Sequence, residues 1–262
     1  MDEILMLTNH ADDLHAVKFA HQFARQNGKV LVLAQLNRFE SVSLPDHKPV
    51  TSYGSWQEKG ENIYQDVAPT SNGEQFHPPL KTIDASRFNE NMLATHICQN
   101  GYAMVICKPG INRLNLQTVV DLINCPLMLL PDSFSITDVK RIVYLTDLRY
   151  CQQQVINYLD KFKRSSVLLA HICEKGLPDL IPSYGNQLFT DTIRYHVANP
   201  ELFFSHIKES GVEKMVDILV NTMSTDMMVC LNRRFHFQQL LGEQLPKRLP
   251  AYITVPLLVF PC

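Results

Sequence analysis

Three short apolar segments occur twice in this chain, in the same order and at similar spacing. VLVLAQL at 30–36 is matched by VLLAHI at 167–172, and YAMVIC at 102–107 by DMMVCL at 226–231. CPLMLLP at 125–131 is matched by VPLLVFP at 255–261. Short apolar runs bounded by turn residues read as buried strands. Their ordered repetition predicts two copies of one α/β unit, at 1–135 and 136–262.

The segments between the strands carry helical periodicity. In the first half, strands are expected at 3–8, 29–36, 81–84, 102–107 and 126–130. Helices are expected at 12–27, 88–100 and 114–124. Ala16, Phe19, Ala20 and Phe23 fall on one helical face, and Asn27-Gly28 is a stop signal. In the second half, strands are expected at 140–146, 165–172, 202–206, 226–231 and 255–260. Helices are expected at 150–163, 212–223 and 235–248, with Met215, Ile218, Leu219 and Thr222 in phase in the second of these. Pro246 is expected to kink or end the last.

Continuous apolar strands alternating with amphipathic helices imply a parallel sheet covered on both faces. Right-handed crossovers then narrow the topology to a doubly wound sheet in each unit. Pro126 and Pro256 open the fifth strands, which makes each an edge. The edge of one unit is expected to pair with that of the other. The short join at 132–138 holds the units in contact, as two sheets packed about a pseudo-twofold axis. Residues 37–79 and 174–200 break the pattern, with helix candidates at 57–66 and 184–196. Unpatterned stretches of that length carry function or move.

Composition narrows the class. Hydrophobic residues are 45% and charged residues 19% of the 262, which marks a globular chain. The formal net charge is −2, so no field favours nucleic acid or an anionic membrane. Apolar runs are far shorter than the ~20 residues of a membrane span. The first strand starts almost at the N-terminus, and no leader is expected. The seven cysteines include no CxxC pair, which suits reduced, buried thiols in a cytoplasmic protein, Cys262 being the exception as an exposed last residue.

On these markers the chain resembles a tandem universal stress protein over essentially its whole length. The first strands running into a turn (LMLTNH, VYLTD), the fourth strands (MVICKPG, MMVCLNR) and the two final segments carry the likeness. The resemblance implies two five-stranded doubly wound units, adenine nucleotide alpha hydrolase-like, pairing through their fifth strands. Some members of that family bind ATP. They do so with an Asp after strand one and Gly-x2-Gly-x9-Gly-Ser/Thr after strand four. Glycines there let backbone N–H groups approach phosphate without a clashing Cβ.

Both copies of that motif are degenerate. Asp147 keeps the acid in the second unit, whereas Asn9 takes its place in the first, ahead of Asp12 and Asp13. In the first loop Gly110 is kept, but Arg113-Leu114 stands near the last Gly-Ser. In the second, Asn232, Arg233 and Arg234 fill the glycine loop, and Gly242 is followed by Glu243, which would repel phosphate. The whole chain has only ten glycines. ATP is therefore not expected in the first unit. Any anion is expected near Asn232, Arg233, Arg234 and the start of the 235–248 helix.

Each candidate has a plainer reading. Arg233-Arg234 could grip a phosphate or be a solvated turn, and Asp147 a ligand contact or a helix cap. His10 and His15 with Asp12 and Asp13 match no metal-site spacing, so no metal is expected. His171 and His206 read as satisfied strand-end residues. No nucleophile elbow, Walker lysine, HExxH or Rossmann loop is present. The expectation is a non-catalytic ligand-sensing or protein-interaction protein without a cofactor. The alternative is an adenine-nucleotide (ATP or AMP) binder or slow ATPase using the second unit. Association with a second copy or an unknown protein partner would use 37–79 and 174–200.

Overall fold

A computed structural model describes residues 3–9, 14–36, 80–110, 114–132, 134–135, 138–146, 153–162, 165–172, 182–191, 202–207 and 211–262. The 37–79 stretch, with its helix candidate at 57–66, lies outside the described residues.

All ten expected strands form, each within two residues of its expected bounds. They are β1 (Glu3–Thr8), β2 (Val30–Gln35), β3 (Leu80–Asp84), β4 (Met104–Cys107), β5 (Leu127–Leu129), β6 (Arg141–Leu145), β7 (Ser166–Ile172), β8 (Leu202–Ile207), β9 (Met227–Leu231) and β10 (Leu257–Phe260). Their spatial order is β3-β2-β1-β4-β5-β10-β9-β6-β7-β8. Each half thus carries the same order, and the pairs within each half are parallel. At the seam β5 and β10 run antiparallel, with Leu257, Leu258 and Val259 opposite Leu129, Met128 and Leu127.

This corrects one expectation. The halves do not present two sheets packed against each other; the fifth strands hydrogen-bond edge to edge, so one ten-stranded sheet results. The physical reason is the one that made those strands edges: unpaired backbone groups in an apolar strand are satisfied most directly by another strand.

Among the described residues seven α-helices cover the sheet: α1 (Leu14–Gln26), α2 (Glu90–Asn100), α3 (Leu116–Leu122), α4 (Gln153–Leu159), α5 (Pro182–Phe189), α6 (Val212–Asp217) and α7 (Phe235–Leu241). Side chains alternate across each strand, so two cores form. One face packs Leu5, Val105, Leu127, Leu257, Met228 and Val143 under α2, α3, α6 and α7. The other packs Ile4, Met104, Met128, Leu258 and Ile142 under α1 and α4. Both cores run through the seam. On the second face Phe23 of α1 lies 5.7 Å from Phe162, and Tyr158 OH donates to Ala103 O at 2.7 Å.

Local chemistry sets the helix ends. Ala16, Phe19, Ala20 and Phe23 are buried as expected, and Gly28 at φ 62° follows the end of α1. Asn89 and Asn115 cap α2 and α3, the latter accepting from Gln117 N–H at 3.0 Å and Thr118 N–H at 3.3 Å.

Several helices differ from expectation: the 150–163 segment is helical over Gln153–Leu159, and the 184–196 candidate over Pro182–Phe189. The 212–223 segment is α-helical only to Asp217 and continues as a π-helical turn, Ile218–Thr222. That wider winding shifts the phase, so Met215, Val216 and Leu219 are buried while Thr222 is exposed. The 235–248 segment is helical only to Leu241. Gly242, at φ 84°, ends it four residues before Pro246, and its N–H closes on Gln238 O at 2.8 Å.

The cysteines divide. Cys107, Cys125 and Cys230 are buried, whereas Cys98 and Cys262 are exposed, so Cys98 departs from the buried expectation. Burial pushes the thiols of Cys107 and Cys125 up to about 12, and raises that of Cys230 further above the usual thiol range. Alkylation needs the thiolate. Iodoacetamide at pH 8 should therefore label Cys98 and Cys262 in the native protein and reach Cys107 and Cys230 only after denaturation. Peptide mass spectrometry checks this, and native labelling of Cys107 would contradict the fold.

Candidate functional site

The opposite directions of the two strand sets decide where the candidate residues stand. β1–β5 run one way and β6–β10 the other. The loop after β4 and the loop after β9 therefore lie at opposite ends of the sheet. Asn9, half-buried at the end of β1, and Gly110 belong to one end. Asn232, Arg233 and Arg234 belong to the other. Asp147 lies outside the described residues, as do His10, Asp12, Asp13 and Arg113.

The two loops occupy equivalent places. Cys107 pairs with Leu129, and Cys230 pairs with Val259. Those partners are related by the twofold pairing of β5 with β10. Gly110 and Arg233 each lie three residues beyond, and both have positive φ, 95° and 56°. Arg233 thus adopts the left-handed turn that a glycine takes in the other loop, a conformation that disfavours a residue with a Cβ.

Each loop abuts the segment by which the other half leads into its last strand. A Cβ added at Gly110 would lie 3.1 Å from Lys247 O. At the other end, Asn232 and Arg233 meet α3. Asn232 Nδ2 donates to Asp121 Oδ1 at 2.8 Å, and Arg233 forms an ion pair with Asp121 Oδ2. Gln117 Nε2 donates to Asp121 Oδ1 at 2.8 Å and to Asn232 Oδ1 at 3.2 Å. Gln117 Oε1 accepts from Leu245 N–H at 2.9 Å. Asn232 is tied back to the last strand by its N–H to Phe260 O at 2.8 Å, and its carbonyl accepts from Cys262 Sγ at 2.6 Å.

Magnitudes separate the members of this cluster. The Arg233 and Asp121 side chains are 60% and 28% exposed, so their ion pair contributes about 0–1 kcal/mol. Gln117 and Asn232 are 5% and 1% exposed. Buried amides lose roughly 1–3 kcal/mol each when a partner is removed. The amide network, not the charge pair, holds the loop.

The remaining candidates are placed apart. Gly242 ends α7, and nothing lies within 4 Å of an added Cβ there. With α7 reduced to seven residues, the expected helix start beyond Arg234 offers little dipole. His15 packs edge-on against Phe134, ring centroids 4.6 Å apart. His171 is buried, its Nδ1 3.2 Å from Thr146 O; the His206 side chain is outside the described set. Among the described residues no group of three or more His, Cys, Asp or Glu could hold a metal ion. No described helix is long and apolar enough to cross a membrane.

Sequence reading missed Gln117 and Asp121. Both flank the apolar stripe of α3, four residues apart, and one polar pair beside a stripe is too common to single out. Their importance depends on which loop faces them.

The strand order, with helices on both faces, defines a doubly wound α/β fold, and solved structures give it a closer counterpart. A universal stress protein from Archaeoglobus fulgidus DSM 4304 superposes with a TM-score of 0.56 at 10% identity, covering 99% of this chain and 96% of that one. A candidate universal stress protein from Pseudomonas aeruginosa UCBPP-PA14 gives 0.56 at 12% identity over 99% and 93%. A protein of unknown function from Pseudomonas aeruginosa PAO1 gives 0.55 at 12% over 99% and 92%. The chain has the fold of the universal stress proteins. No family profile and no curated relative matches it.

Proposed function

We propose that the chain is two universal-stress-protein-like units in tandem, acting as a non-catalytic sensing or interaction protein. In this reading the two loops that hold phosphate in ATP-binding members form the joint between units. One observation carries it: Asn232 and Arg233, in the second loop, each direct a side-chain donor at Asp121 of the other half. The close approach of Gly110 to Lys247 supports the same reading at the other end. A phosphate would have to displace these contacts, and neither loop offers a run of glycine N–H groups in their place.

Calorimetry with ATP, ADP and AMP on the intact protein tests the reading. No heat of binding is expected up to millimolar nucleotide, and no shift in melting. A ligand at 100 times its Kd would stabilise by about 2.7 kcal/mol, which is readily detected. Micromolar ATP binding would overturn the reading in favour of an adenine-nucleotide binder or slow ATPase. That second reading is favoured by the place of Arg233 and Arg234, beyond the C-terminal end of β9, where open α/β sheets take ligands. Association with a second copy is a further part of the proposal. Light scattering showing only a 30.0 kDa species over a wide concentration range would exclude it.

A further inference from the structure

Three donors converge on one carboxylate at the joint. Gln117 Nε2 and Asn232 Nδ2 each reach Asp121 Oδ1 at 2.8 Å, and the Arg233 guanidinium engages Oδ2. Two buried amides and a guanidinium directed at both oxygens of one group form the donor set of an oxyanion site. The donors are held independently of the carboxylate. Gln117 is fixed through its Oε1 by Leu245 N–H, and the Asn232 backbone by β10. Asp121 is the peripheral member, one residue from the end of a seven-residue helix, with its side chain reaching solvent.

We propose that Gln117, Asn232 and Arg233 form a small-oxyanion site whose resident occupant is the chain's own Asp121 carboxylate, and that a free carboxylate or phosphate group takes that place when Asp121 is withdrawn. The proposal rests on the reading of this loop as a joint. It adds that the joint holds an exchangeable contact: an external anion satisfies the same donors and releases Asp121, while Gln117 keeps α3 on the second half through Leu245 N–H. The site needs no adenine pocket, because all of its donors address the anionic group alone. In the intact chain Asp121 is tethered beside the donors and outcompetes dilute anions by effective concentration.

Removing the occupant tests this. Asp121→Ala should melt below the unaltered protein. Sodium formate or inorganic phosphate should restore its melting temperature saturably, by about 5 °C at 100 times Kd. Sodium chloride at equal ionic strength should not. The unaltered protein should show no such saturable shift, and Asp121→Ala/Arg233→Leu should need up to about fivefold more anion to reach the same shift. Formate alone acting would assign the site to carboxylates, and phosphate acting more strongly would assign it to phosphate groups. Asp121→Ser, which fills less of the site and carries no charge, should behave like Asp121→Ala. If neither variant accumulates as folded protein, recovery on refolding from urea should depend on formate or phosphate and not on chloride. Rescue by chloride equally, rescue whose concentration dependence is unchanged by loss of Arg233, an equal response of the unaltered protein, or no rescue in any format would overturn the proposal. These outcomes are separate from the nucleotide titration, which uses the unaltered chain and can fail or succeed on its own.

Discussion

Replacing Leu258 by alanine should destabilise the whole chain by about 3–4 kcal/mol in one cooperative transition. Leu258 and Met128 face each other at the centre of the seam, and both are 0% exposed. Truncating a leucine in such a place costs roughly 2–5 kcal/mol, from lost transfer energy and the cavity left behind. That is a large part of the ~5–15 kcal/mol that holds a typical protein together. The loss should be shared because the core on this face contains residues of both halves, from Ile4 and Phe23 to Ile142 and Phe162. Urea unfolding followed by far-UV circular dichroism and by hydrogen exchange in each half would check it. Two transitions, with only one displaced by Leu258→Ala, would mean that the halves fold as independent units joined only weakly.

The second large effect is expected at Gly110. Gly110→Ala should cost about 2–3 kcal/mol, and Gly28→Ala only about 1 kcal/mol. Both glycines have positive φ, 95° and 62°, where a side chain is disfavoured by roughly 1–2 kcal/mol. An added Cβ at Gly28 meets nothing within 4 Å, but at Gly110 it presses on the Lys247 carbonyl at 3.1 Å. A backbone carbonyl cannot rotate away as a side chain would, so the difference between the two variants reports the contact between halves. Equal costs in denaturant unfolding would show that the loop gives way freely and that Gly110 matters only for its own conformation.

Much of the fold was legible because strand and helix periods are local. The paired segments ending in CPLMLLP and VPLLVFP located the strands, and the prolines marked the edges that pair. Asn27-Gly28 and the apolar faces of α1 and α3 also follow from nearest neighbours in the chain. The end of the last helix at Leu241 and the π-helical turn at Ile218–Thr222 were not legible. In the first, a glycine stop competed with a later proline at Pro246. In the second, a change of winding leaves no distinct pattern in composition.

The sequence by itself determined the positions of the strands within each half, the two-sided covering of the sheet and the scarcity of glycine in both candidate loops. Those depend on hydrophobic period, crossover handedness and residue type, all of which are read along the chain. Only the tertiary structure decided that the halves share one sheet, that their candidate loops lie at opposite ends, and that Asn232 and Arg233 face Asp121 and Gln117. The physical reason is the antiparallel pairing of β5 with β10. That single choice of direction reverses one half against the other and carries each loop onto its neighbour's last helix or the segment following it. No residue in either loop encodes it alone.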